Sequence, residues 1–102
     1  MAEIEETLKR LMAHKGVQMA VIVNSDGIPI RCAPATMEHK DAVMFPGVLL
    51  PVIQKARQMI KALDSQNEFS ALRMRSQKNE ILVYPEKEYT LFVVQSGAVV
   101  DV

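Results

Sequence analysis

Tryptophan is missing from this sequence, and its 102 residues hold only three phenylalanines, two tyrosines, four scattered glycines and one cysteine. Hydrophobic residues nevertheless make up 49% of the chain, so a core has to be built from aliphatic side chains and the seven methionines. The lone Cys32 excludes an internal disulfide and points to a reducing, cytoplasmic setting. Net charge is lacking too: 12 basic and 12 acidic residues cancel. No overall field then draws the chain to nucleic acid or an anionic membrane, and the expected partner is another protein. No apolar run nears the roughly 20 residues that span a bilayer. The opening MAEIEETLKR is too acidic and polar for a secretory signal. A chain of this length suits one domain around one core.

Chemical motifs are equally scarce. Phosphate-binding loops need closely spaced glycines before a helix, whereas Gly16, Gly27, Gly47 and Gly97 stand apart and read as caps or turns. His14 and His39 have no cysteine or carboxylate at metal-ligand spacing, so neither a metal nor a cofactor is expected. Cys32 with either histidine is the one nucleophile–base pairing on offer, and nothing in the spacing fixes its geometry. Cys32 therefore reads as a small edge-strand residue, and the chain as no enzyme. Arg73, Arg75 and Lys78 form a basic patch without interleaved aromatics to stack bases. It reads as a solvated strand face, with contact to an acidic partner segment as the alternative.

What is present is strong periodicity. From Ala2 to Lys15, Ile4, Leu8, Leu11 and Met12 recur at helical spacing, acids lead, bases follow, and Gly16 sits where a left-handed terminator belongs. Val17 to Val23 is apolar on both alternating sets, as a strand covered on both faces is. Asn24-Ser25-Asp26-Gly27 is turn chemistry that returns Ile28 to Cys32 as an antiparallel partner, and Pro29 makes that partner an edge. Thr36 is placed to cap a helical segment from Met37 to Leu63. Pro46, Gly47 and Pro51 predict a kink or break in its first half, or a bent continuous helix in which Gly47 eases the crowding from Pro51. Three strands follow in a meander: Phe69 to Arg75, Glu80 to Pro85 and Tyr89 to Gln95, with Leu91 to Val94 central. The tail SGAVVDV packs on a neighbour or frays. The domain is thus residues 1–95, with 96–102 as a C-terminal tail.

The wording of EETLKRL, HKGVQMAVIVNSDGIPIR and KARQMIKALDSQNEFSALRMRSQKNEILVYPEKEYTLFVVQ resembles the roadblock-type dynein light chains over about Ala2 to Gln95. The resemblance implies an α+β fold of order α-β-β-α-β-β-β, a five-stranded antiparallel sheet with the N-terminal helix on one face and the long helix on the other. It implies a noncatalytic subunit of cytoplasmic or axonemal dynein, homodimeric or paired with a paralogous light chain, that binds the dynein intermediate chain on the microtubule cytoskeleton. Relatives with this fold also imply an alternative, a scaffold for a small GTPase. Dimers of the family join at the strand before the meander and pack their long helices across the two-fold axis. Here that maps onto Phe69, Ala71, Arg73 and Arg75 of the strand, and onto Leu49, Val52, Ile53, Ala56, Met59 and Ile60 of the helix. Independently, Phe69 to Arg75 carries no proline or glycine to blunt an edge. The helix is also apolar over more of its circumference than one sheet face buries, which leaves surplus surface for a second subunit.

Overall fold

The structure, a computed structural model, describes residues 2–96. Its elements are α1 (Ala2–Met12), β1 (Val17–Asn24), β2 (Pro29–Ala33), α2 (His39–Leu63), β3 (Leu72–Arg75), β4 (Asn79–Pro85) and β5 (Tyr89–Ser96). The five strands form one antiparallel sheet in the order β2-β1-β5-β4-β3. β5 is the middle strand and β1 an inner one, as their unbroken apolar runs require, and the Pro29 strand lies at an edge. Of the predicted tail, residues 96–102, Ser96 ends β5 instead, and residues 97–102 lie outside the described residues.

Strand alternation divides the core into two layers. Ala20, Ile22, Leu82, Leu91 and Val93 point to the face on which Leu8 of α1 packs, flanked by Ile4 and Leu11. Val21, Val23, Val83 and Phe92 point to the opposite face and meet Leu49 and Ile53 of α2. The hairpin β1–β2 turns as its sequence dictates: the Asn24 side-chain oxygen accepts the Asp26 and Ile28 amides at 2.9 and 3.0 Å, and Gly27 takes a φ of +80°.

Several boundaries depart from expectation. Of the two forms expected for α2 the structure has the continuous one: the helix starts at His39 instead of Met37 and runs unbroken to Leu63 with both prolines inside it. Pro46 is fully buried, so packing offsets the hydrogen bond its ring removes; a side chain at Gly47 would not meet the Pro51 ring, so the glycine is not what makes room for it. Thr36 does not cap this helix. The Met37 amide donates to the Pro34 carbonyl at 2.9 Å, the chain stays extended at Glu38, and the helix opens only at His39. α1 ends at Met12, before Lys15, and Gly16 adopts its φ of +93° in the connection to β1. β3 is shorter than its sequence pattern, beginning at Leu72 instead of Phe69. The Phe69 ring is drawn under α2 into the layer of Val83 and Phe92, and the guanidinium of Arg57 lies 5.5 Å from its centroid. Residues 69–71 thus belong to the connection between α2 and β3 and do not extend the sheet.

Candidate functional site

The residues expected to matter fall into two groups. Leu49 and Ile53 are 4% and 3% exposed against their own sheet, so they belong to the core of the protomer. Val52 and Met59 stay 40% and 56% exposed, with Ala56 and Ile60 half-buried between the two lines. The exposed line continues in both directions through Met44, Val48 and Leu63, none of them among the interface residues expected from the sequence. Six of the eight large apolar side chains exposed among the described residues lie on α2, namely Val43, Met44, Val48, Val52, Met59 and Leu63, so the exposure is concentrated rather than scattered. Helical spacing could have shown it, because these positions form a second apolar line beside the core-facing one. A Cβ built on the exposed Gly47 meets nothing within 4 Å, so the helix backbone there is open to close approach.

The second group sits at the open edge β3. Ala71 is exposed just before the strand, and Arg73 and Arg75 are exposed within it. Among the described residues β3 pairs only with β4, so its outer backbone groups face away from the sheet. Arg73 opposes Leu82 and Arg75 opposes Glu80 in that register. Glu80 is 2% exposed and is the buried charged residue among the described residues. Arg73 Nε donates to its Oε2, Arg73 Nη2 to its Oε1 at 3.1 Å, and Gln95 Nε2 to the same Oε1 at 2.7 Å. These donors, Arg73 first and Gln95 second, hold the carboxyl at a pKa of about 2 against an ordinary 4.5. Sequence pattern gave no sign of this network, since its three members come from three neighbouring strands.

Little here resembles a reaction centre. Cys32 and His39 line one groove on the α2 side of β2, while His14 lines another on the α1 side. Among the described residues no group of three histidines, cysteines or carboxylates is placed to hold a metal ion, and no helix is long and apolar enough to cross a membrane. The class defined by this arrangement is an α+β sandwich in which one antiparallel sheet separates a short helix from a long one.

The chain belongs to the Roadblock/LC7 domain family, whose model matches residues 3–96. Solved structures agree at the level of fold. A Roadblock/LC7 domain from Streptomyces avermitilis superposes with a TM-score of 0.73 at 10% identity, covering 84% of this chain and 71% of that one. Myxococcus xanthus MglB gives 0.76 at 17% identity, covering 96% and 79%. An MglB structure in a tetrameric arrangement gives 0.77 at 12% identity, covering 95% and 73%.

Proposed function

We propose that this protein is a noncatalytic adaptor that works as a homodimer. The observation that carries the reading is the coincidence, on one molecule, of an unpaired strand edge at β3 and an exposed apolar flank on α2. Edge pairing would satisfy the outer groups of β3, and the flank from Met44 to Leu63 would pack against its copy across the two-fold axis. Within the interface expected from sequence, Val52, Ala56, Met59 and Ile60 supply the helix contact and Ala71, Arg73 and Arg75 the strand contact. Leu49, Ile53 and Phe69 support it from beneath. Such an interface is obligate in character and buries on the order of 2,000 Å² or more.

The partner favoured by the sequence is a segment of a dynein intermediate chain, which makes this a dynein light chain of the cytoplasm and microtubule cytoskeleton. The support is the roadblock-type wording spread over the whole domain. A second reading, a scaffold for a small GTPase, draws on the solved relatives, which are bacterial MglB and Roadblock/LC7 proteins rather than motor subunits. Those relatives weigh toward the second.

Sedimentation at micromolar concentration tests the dimer, and Ala56→Arg tests its location. A buried, unpaired guanidinium between helices lowers dimer stability by about 3–5 kcal/mol, so this variant sediments as a folded monomer. A monomeric wild-type protein overturns the reading. Affinity capture then separates the partners: recovery of a dynein intermediate chain selects the first, and recovery of a GTPase in a nucleotide-dependent manner selects the second.

A further inference from the structure

The face of the sheet that carries α1 is only half covered. α1 lies mainly over β1 and β2, with Leu8 reaching the layer of Leu82, and α2 lies on the other side, so among the described residues the outer part of β4 and β3 is less covered on this face. A groove runs there between the α1–β1 connection and the outer strands. Val17 and Leu82 form its apolar floor, Tyr84 one wall at 40% exposure, and Lys15 and Arg73 its rim. Among the described residues no carboxylate lines it, and its formal charges are the cations Lys15 and Arg73. Two other grooves differ in this respect: Glu5 and Glu6 line the one beside α1 and β2, and Asp26, Glu86 and Glu88 the one at the hairpin tips, whereas the groove of Cys32 and His39 also lacks a carboxylate but carries the single cation Arg31.

We propose that this groove is the docking site for a partner polypeptide segment that places acidic side chains beside apolar ones, its carboxylates meeting Lys15 and Arg73 and its apolar residues resting on Leu82 and Tyr84. Three observations converge on that occupant. The floor is apolar, the rim is cationic in a chain of zero net charge, and Arg73 is held in place before anything binds. Glu80, 3% exposed at its side chain and anchored by Gln95, fixes Arg73 through Nε and Nη2, while the Arg73 side chain remains 65% exposed. The donors turned away from Glu80 are therefore presented in one orientation, which removes much of the ordering cost of an arginine–carboxylate contact. Glu80 is a positioning residue for that contact. The proposal deepens the adaptor reading, on which it rests, by naming the chemistry of the partner segment; its residues lie on one protomer, Arg73 at the border of the proposed dimer edge.

The test is selection of a random peptide library displayed on phage against the intact protein, followed by titration of the recovered peptides. Selected peptides are expected to combine Asp or Glu with Leu, Ile, Val or Met, and to bind more weakly as salt rises. Lys15→Glu, and separately the joined change Arg73→Gln with Glu80→Gln, which removes the cation together with its buried anion, each weaken them by roughly tenfold. Peptides without acids, no enrichment at all, unchanged affinity for Lys15→Glu, or preferential binding of an oligonucleotide at the same residues would overturn the proposal. Failure of the adaptor reading looks different: sedimentation reports a monomer and capture finds no protein partner, whatever the peptides do.

Discussion

Arg73 on the open edge strand and Glu80 on its neighbour form a two-point contact in which the anion is sealed from solvent and the cation is not, at 3% and 65% side-chain exposure. A buried carboxylate is tolerable only while its lone pairs are occupied, and here Arg73 and Gln95 occupy them. The edge strand is thus tied to the sheet by a side chain as well as by its backbone.

That contact has a pH signature. Glu80 titrates near 2 in the folded chain against about 4.5 when unconstrained. The unfolded state therefore binds the proton more readily across that window. Its contribution to stability is complete above about pH 4.5 and drains away as the pH falls towards 2. Thermal unfolding of wild type and Glu80→Gln at steps between pH 6 and pH 2 is the measurement. The two midpoints are expected to converge as acid is added, with wild type the more stable at neutral pH. Parallel curves would mean that Glu80 is not held by Arg73.

Neighbouring positions on α2 should separate core from flank. Ile53→Ala removes a side chain 3% exposed against the sheet and costs about 2–5 kcal/mol in protomer unfolding. Val52→Ala, at a position 40% exposed, costs less than about 0.5 kcal/mol in the same assay. Denaturation in the Ala56→Arg background, where dimerisation no longer contributes, gives both values. In the wild-type background Val52→Ala instead shifts the concentration at which dimers form.

The two prolines of α2 should respond unequally. Pro51 is exposed, and alanine there restores an amide that can donate to the Gly47 carbonyl. The gain is about 2 kcal/mol after allowing for the looser unfolded chain. Pro46 is fully buried, so Pro46→Ala trades the recovered hydrogen bond for a void under the helix and gains less. Urea midpoints of the two single variants, compared at equal protein concentration, check the order.

These prolines also mark where the sequence stopped being legible. The Asn24–Gly27 turn, the edge position of the Pro29 strand and the central place of Leu91 to Val94 followed from local chemistry, because turn residues and unbroken apolar runs act over a few positions. At Pro46 the sequence leaves a break and a continuous helix both open, because the burial that decides between them is a tertiary fact. Phe69 carried a strand-like pattern, yet its ring is held beneath α2 beside Arg57, which no alternation encodes. Leu49 and Val52 looked alike as apolar helix positions, and only the direction of the sheet assigned one to the core and the other to solvent. Glu80 is the plainest case. A glutamate beside an asparagine at a turn reads as exposed, and the partners that allow its burial lie on β3 and β5.

Backbone exchange at β3 addresses the open edge directly. In an antiparallel strand, alternate amides face the partner strand and the remainder face outward. With β4 on one side only, one alternating set among Leu72, Arg73, Met74 and Arg75 is hydrogen-bonded within the protomer and the other is not. Pairing of two β3 strands would protect the second set as well. Hydrogen–deuterium exchange on wild type at micromolar concentration is therefore expected to show slow exchange along the whole strand. Ala56→Arg, held monomeric, should lose protection at alternate residues while β1 and β5 keep theirs. Rapid exchange of the outward set in a wild-type sample shown to be dimeric would place the subunit contact elsewhere and leave the α2 flank as its only remaining support.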